Sequence, residues 1–154
     1  MNSKELEKII SKDSLLRRTF VGVFASDELD FVVQKRPACL IVNTDPSYMP
    51  GTHWIAIYID ARGNGHYFDS FGRDVFCDQF VKFLKMNVKR VYMNKSRLQS
   101  SDTFVCGIYC IYFLYHRVRG INQSEILKKF SMRNFIRNDK IVCEFLSLYS
   151  FKVF

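Results

Sequence analysis

Between Phe104 and Tyr115 every residue except Gly107 is apolar or aromatic. A run of that length is too short to span a bilayer and suits a helix buried on all sides, around which other elements must pack. The chain reaches it through a polar stretch, Gln99-Ser-Ser-Asp-Thr, so Cys106 falls where loop becomes helix. The first backbone N–H groups of a helix lack internal partners and stabilise a thiolate or a developing oxyanion beside them. A cysteine so placed can act as a nucleophile. An isolated cysteine beside an apolar run is otherwise a small buried hydrophobe, so the rest of the chain has to decide.

With 154 residues the sequence is long enough for one real core and too short for two comfortable ones, which predicts a single domain over 1–154. Hydrophobic residues make up 48%, glycine and proline are scarce, and no repeat or low-complexity tract appears, which excludes a disordered chain. Five cysteines (Cys39, Cys77, Cys106, Cys110, Cys143) form an odd set without a CxxC pair. That pattern predicts free thiols in a reducing compartment and no structural zinc. No segment combines basic residues with a long apolar run as a secretory leader does, so the expectation is an intracellular protein, not secreted and not in a membrane. Twenty-three Lys and Arg against fifteen Asp and Glu give a net charge of +8. Such an excess favours polyanions, nucleic acid above all, or is a solvated basic face.

In chain order, residues 3 to 12 place Leu6, Ile9 and Ile10 on one helical face with Ser3 as N-cap. Phe20–Phe24 alternates like a half-buried strand, and Cys39–Asn43 is an apolar run of central-strand length. A loop of turn formers, residues 44 to 51, leads to His53 at the start of a strand in which Ile55, Ile57 and Ile59 alternate with Ala56, Tyr58 and Asp60. Residues 61 to 65 have hairpin composition, so His66–Asp69 should return antiparallel and bring Asp69 level with His53. A helix is expected from an Asp74 cap to Met86, with Val75, Phe76, Phe80, Val81, Phe83 and Leu84 on its apolar face. Val88–Met93 reads as a basic strand. Beyond the central helix, Asn122 and Glu125 form a capping-box variant ahead of Ile126, Leu127 and Phe130, and a last helix spans about Asp139 to Tyr149.

One sheet edge thus collects His53, Asp69, Gln99 and Cys106 in chain order. Thiol-dependent hydrolysis uses these residue types: Cys106 as nucleophile, His53 as general base and then acid to the leaving amine, Asp69 to orient the imidazole, and Gln99 as amide donor to the oxyanion. The other histidines, His66 and His116, are most simply structural. Cys110, one helical turn beyond Cys106, reads as buried packing.

This order resembles the branch of cysteine peptidases that holds the adenovirus and SUMO proteases, and the neighbouring residues resemble the adenovirus endopeptidase family. Gly51-Thr-His53-Trp54 is similar to its Gly-x-His-Trp, and Phe68-Asp69-Ser-Phe71-Gly72 to its Phe-Glu-Pro-Phe-Gly. Gln99 stands seven residues before Cys106, the viral spacing, and Cys106-Gly-Ile-Tyr-Cys110 resembles its Cys-Gly-x-x-Cys helix. Cys39-Leu-Ile-Val-Asn43-Thr44 is similar to its Ala-Cys-Ala-Ile-Val-Asn-Thr strand. The acid here is Asp, as in SUMO proteases.

The resemblance implies an α+β cysteine peptidase fold: a central mixed β-sheet packed by helices, with the nucleophile at the N-terminus of a buried central helix. It implies an endopeptidase of a DNA virus or virus-like transposon that cleaves capsid or core precursor polypeptides, often beside small residues such as Gly, in the host nucleus or the virion. Cys106 would contribute to the oxyanion hole with Gln99, and Trp54 would shape the site. The chemistry requires no cofactor or metal, and the protein is expected to be a monomer. The adenovirus enzyme is stimulated by DNA and by a peptide disulfide-linked to a cysteine upstream of its glutamine. Here Val88–Gln99 holds no cysteine, so an activating peptide would bind without a covalent link, by strand addition to an exposed sheet edge. Non-specific DNA would be met by Lys82, Lys85, Lys89, Arg90, Lys95 and Arg97, with Lys128, Lys129, Arg133, Arg137 and Lys140 as a second cluster.

Two alternatives stand beside this expectation. A deconjugating isopeptidase acting on SUMO-like or ubiquitin-like tails is favoured by Asp69. A basic DNA-binding protein without catalysis would be expected to lack one of the four residues, and none is missing.

Overall fold

The structure, a computed structural model, describes residues 1–75 and 77–151, with residues 150 and 151 in backbone only. Its centre is a five-stranded sheet of β1 (Phe20–Phe24), β2 (Ala38–Asn43), β3 (Trp54–Ile59), β4 (Gly65–Phe68) and β5 (Val91–Met93), arranged in that spatial order. The sheet is mixed: β1–β2 and β4–β5 run parallel, β2–β3 and β3–β4 antiparallel.

Every residue of β2 is buried, which is why the sequence shows an unbroken apolar run there instead of alternation. Successive side chains point to opposite faces, so Cys39 and Ile41 of β2, Ala56 and Tyr58 of β3, and Phe68 of β4 share one core. Leu40 and Val42, Ile55, Ile57 and Ile59, and Tyr67 share the other. The central helix α4 (Cys106–Arg117) fills the first core, with Phe113 stacked on Phe68 at 4.5 Å between ring centroids. Helix α3 (Asp78–Asn87) closes the second with Phe80, Phe83 and Leu84. Each fully buried phenylalanine contributes roughly 1.5–3 kcal/mol over an exposed one, so the two layers hold the sheet firmly beneath the site.

The remaining helices pack around α4: α1 (Ser3–Ile10) and α2 (Ser14–Thr19) at the amino-terminal side, α5 (Gln123–Leu127) and α6 (Phe135–Phe151) beyond it. No helix among the described residues is long and apolar enough to cross a membrane.

Four boundaries differ from the sequence expectation. The cap of α1 is Asn2, not Ser3: Asn2 accepts from the Glu5 N–H while Glu5 returns a bond to the Asn2 N–H, a full capping box. Helix α3 starts at Asp78, not Asp74, and its N-cap Cys77 makes no side-chain capping bond; Val75 packs on the second core from the preceding loop, and Phe76 lies outside the described residues. The strand expected from Val88 shrinks to Val91–Met93 because the Val88 N–H closes the end of α3 on Leu84 and Lys89 bonds Gly63 in the hairpin loop. Helix α6 begins at Phe135, one turn before Asp139, since Asn134 accepts from the Arg137 N–H and starts it early.

Candidate active site

The strand register decides what meets at the sheet edge. Ala56 pairs with Phe68, so extending the ladder two or three residues sets His53 across from Phe71 and diagonal to Asp69 on the same face. The side chains bear this out. His53 Nε2 lies 2.7 Å from Asp69 Oδ1, and the imidazole sits 5.0 Å from the Phe71 ring. Asp69 Oδ1 also accepts from the Phe71 N–H at 2.8 Å, and Oδ2 faces Arg73 Nε at 3.3 Å. Its backbone is clasped by Asn94, which accepts from the Asp69 N–H at 3.0 Å and donates to its carbonyl at 2.6 Å. The carboxylate that orients His53 is thereby fixed by the strand pair, by its own loop and by Asn94, the residue that follows β5.

With Nε2 turned to Asp69, Nδ1 is the ring nitrogen left for Cys106, and the imidazole and thiol shift each other's titration. Cys106 is the first residue of α4 and is 7% exposed. Val105, the N-cap, offers no side-chain bond, so the Cys106 and Gly107 N–H groups have no capping partner, while the Ile108 N–H bonds the Val105 carbonyl at 2.9 Å. Burial pushes the Cys106 thiol up. The His53 hydrogen bond, backbone N–H groups of Trp54 and Gly107, and the imidazole's charge together outweigh it and bring the thiol below its ordinary value. Burial pulls His53 down, and Asp69 and Cys106 outweigh that and raise it. For Asp69 burial acts upward, and His53, the Phe71 N–H and Arg73 hold the carboxyl below its ordinary value.

The other buried thiols behave oppositely. Burial pushes Cys39 up to about 12 and Cys110 well above the ordinary thiol range. Burial likewise raises Cys143. Cys106 alone among the thiols with a resolved shift is lowered, as a nucleophile requires.

Gly107 marks how tightly the helix start is packed: a Cβ there would sit 3.2 Å from Leu6, 3.4 Å from Met1 Sδ and 3.4 Å from Trp54 Cδ1. Trp54 is half-buried, its indole N–H donates to the Met1 carbonyl at 3.0 Å, and its ring borders a cleft of about 520 Å³ reaching Gly51, Asn43 and Met49.

Gln99 is 1% exposed, and both ends of its amide are engaged. Oε1 accepts from Ser70 Oγ at 2.7 Å, and Nε2 donates to the Thr103 carbonyl at 2.7 Å, with Thr103 Oγ1 farther away at 3.4 Å. The amide is oriented, and one N–H remains beyond the Thr103 carbonyl bond.

His66 and His116 have other partners. His66 bonds Asp60 at 3.2 Å and stacks on Tyr92, and His116 Nδ1 meets the Tyr112 carbonyl. Cys110 is buried in the first core. Among the described residues no group of three or more His, Cys, Asp or Glu side chains gathers to hold a metal ion.

The basic residues divide. Lys85, Lys89 and Arg90 line one groove beside Val91 and Met93, Lys82 faces Asp30 at 3.3 Å, and Lys95 borders a separate groove with His66 and Tyr92. Arg97 is turned inward: its Nε donates to the Gln99 carbonyl at 2.8 Å and its guanidinium lies 4.5 Å from the Phe135 ring centroid. It is a strut of the Gln99 loop and is withdrawn from the basic surface. The residues that sequence reasoning missed are Ser70, Asn94, Thr103 and Asp139. They are ordinary polar residues in periodic or loop contexts; burial distinguishes Ser70, Asn94 and Asp139, and the half-buried Thr103 is distinguished only by its bonds to Gln99 and Asp139.

The profile of the adenovirus endoprotease family matches residues 20–142. The chain is 22% identical to the protease of bovine adenovirus 2, over 97% of this chain and 88% of that protein. It is 32% identical to a cysteine protease of African swine fever virus, over 68% of this chain and 45% of that protein. With the protease of bovine adenovirus C serotype 10 it is 27% identical, over 62% of this chain and 56% of that protein. The chain thus spans about half the length of the last two relatives. Two solved structures share the fold: ChlaDub1 of Chlamydia trachomatis, with TM-score 0.55 and 13% identity over 97% of this chain and 76% of that one, and the Ulp1 protease domain crystallised with Smt3, the yeast ortholog of SUMO, with TM-score 0.51 and 14% identity over 95% of this chain and 78% of that one. The match over residues 20–142 takes in the strand pair that carries His53 and Asp69 and the helix that carries Cys106, and the chain belongs to the adenovirus endoprotease family of cysteine proteases.

Proposed function

We propose that the chain is a cysteine endopeptidase that cleaves precursor polypeptides of a DNA virus or virus-like element. The observation that carries this is the buried Asp69–His53 pair at 2.7 Å, with the Cys106 thiol at the N-terminus of α4 lowered by that imidazole. In this mechanism Cys106 Sγ attacks the scissile carbonyl carbon, and the oxyanion forms beside the Cys106 N–H and the remaining N–H of Gln99. His53 gives its proton to the leaving amine, and the thioester is then hydrolysed by a water that His53 deprotonates. Asp69 keeps the imidazole aligned through both steps. The cleft beside Trp54 is where the substrate chain lies.

The test is cleavage of peptides carrying Gly at the scissile bond, read by mass spectrometry with the parent and Cys106→Ala. Cleavage by the parent alone is expected, and equal cleavage by both would sink the proposal. A second reading, deconjugation of ubiquitin-like tails, is favoured by the aspartate at position 69 and by the likeness to a SUMO protease fold. It predicts that SUMO or ubiquitin conjugates are cut faster than linear peptides of the same terminal sequence.

Activation belongs to the same proposal. The free edge of β5 exposes Val91 and Tyr92, and a short peptide would add there as a further strand, without a disulfide. Non-specific DNA would lie along Lys85, Lys89 and Arg90. Both would act on the protein as a monomer in the infected cell or the virion.

A further inference from the structure

We propose that Asp139, acting through Thr103, is the positioning residue of the Gln99 loop and so sets the oxyanion donor of the reaction. The proposal rests on the catalytic reading above and adds a part of the machinery that lies on α6, far from Cys106 in sequence.

Residues 94–105 join β5 to α4 with no strand or helix of their own, and the part from Arg97 to Val105 carries Gln99. The first turns of α6 hold it at successive points. Phe135 lies under the Arg97 guanidinium, and Asn138, fully buried, donates to the Leu98 carbonyl at 3.0 Å. Asp139 does more. Its Oδ1 accepts from Tyr109 Oη at 2.8 Å and, more weakly, from the Ser100 N–H at 3.4 Å, while its Oδ2 accepts from Thr103 Oγ1 at 2.9 Å. Thr103 in turn presents its carbonyl to Gln99 Nε2. The path Asp139–Thr103–Gln99 ends on the amide that the proposed mechanism uses as oxyanion donor, and Ser70 Oγ fixes the far end of that amide.

Two features favour a positioning role over mere cohesion. Asp139 is 7% exposed and, among the described residues, makes no ion pair, so a carboxyl is kept in the interior on hydrogen bonds alone. Burying such a group is costly, and an apolar side chain of similar size often gives equal or better stability. Tyr109 is fully buried, and burial together with Asp139 pushes its phenol well up, so it remains a donor to Asp139. The network therefore keeps one arrangement while Gln99 meets charge in the transition state. Displacement of a catalytic group by about 1 Å costs on the order of 100-fold in rate.

The experiment compares Asp139→Asn, Thr103→Val and Thr103→Ser with the parent in peptide cleavage, with two further readouts. One is alkylation of Cys106 by iodoacetamide, which reports the thiol and His53 without an oxyanion. The other is affinity for a substrate-derived peptide aldehyde, which forms a tetrahedral adduct and needs the oxyanion hole. The expected result is a loss of kcat of about 100-fold in Asp139→Asn and Thr103→Val. KM and alkylation stay within about twofold of the parent, aldehyde affinity falls in step with kcat, and Thr103→Ser recovers most of the rate. Parent kcat in both variants, or kcat and alkylation falling together, would overturn the proposal. Cleavage by Cys106→Ala would count against the catalytic reading itself, a result separable from either of these.

Discussion

The Asp69 carboxylate meets His53 Nε2 at 2.7 Å with its side chain fully buried, and the same oxygen takes the Phe71 N–H. The imidazole is held by an acid that cannot swing away, because Asn94 grips the backbone at Asp69.

Asp69→Asn keeps the shape and removes the charge. It is expected to fold and to lose roughly 100-fold or more in kcat, and Asp69→Glu to retain part of the activity. Stability follows the titrations. The lowered Asp69 pKa stabilises the fold above the unfolded carboxyl value, and that contribution disappears as pH falls through the folded value. The raised His53 pKa stabilises below the unfolded imidazole value and is lost as pH rises through the folded one. Acid melts of parent and Asp69→Asn check the first of these; both lose stability through the carboxyl range because Asp27, Asp60 and Glu125 are also lowered, but the parent should lose more, and parallel curves would remove Asp69 from the account.

The pH dependence of cleavage follows from the same pair. Cys106 is lowered from 9.0 and His53 raised from 6.5, so the thiolate–imidazolium form grows as the thiol deprotonates on the acid side of 9.0 and fades as the imidazolium deprotonates above 6.5. The limbs of the bell belong to the pair. Asp69→Asn should move the alkaline limb to lower pH, since the imidazolium loses its neighbouring charge. A kcat/KM profile whose alkaline limb stays in place would show that Asp69 does not support the imidazolium.

Gly72 turns the chain after Asp69 at φ +64°, and a Cβ there would meet the Ser96 carbonyl carbon at 2.5 Å and its oxygen at 2.6 Å. Strain and backbone displacement together predict a loss of about 1–3 kcal/mol for Gly72→Ala. Thermal melting should fall by roughly 3–10 °C, with kcat reduced because Ser96 leads into the Gln99 loop. A melting temperature unchanged within a degree or so would contradict this packing.

Nucleic-acid binding should be salt-dependent and without sequence preference, with a log–log slope of roughly −0.9 per phosphate neutralised. Because Arg97 is engaged with Gln99 and Phe135, Arg97→Ala should leave the slope unchanged and slow cleavage, whereas alanine at Lys85, Lys89 and Arg90 should flatten the slope and leave basal cleavage intact. Duplex binding across a salt series separates these; a flat response in the parent would mean that the charge is a solvated face.

Much of the site was legible because its residues carry local signals. An apolar run beginning at a cysteine, a turn-rich loop before His53, and a hairpin that returns Asp69 are all readable from periodicity and turn chemistry. The boundaries missed were those set by competing caps. Asn2 and Ser3 are both good N-caps, and the Glu5 partner decides between them. Asp74 looks like a cap, yet the chain first packs Val75 on the sheet and only then turns into α3. Asp139 and Asn138 were invisible as loop-holding residues because their partners, Leu98 and Thr103, lie about 40 residues earlier in the chain.

The central claim is that Cys106 is the nucleophile although it is 7% exposed, while Cys77 and Cys143 are more open. Timed alkylation at neutral pH, followed by peptide mapping, tests it most directly. The account predicts that Cys106 is labelled well before the other four thiols, that cleavage is lost in proportion to its labelling, and that His53→Ala removes this preference. Earlier labelling of Cys77 or Cys143, with cleavage surviving modification of Cys106, would contradict it.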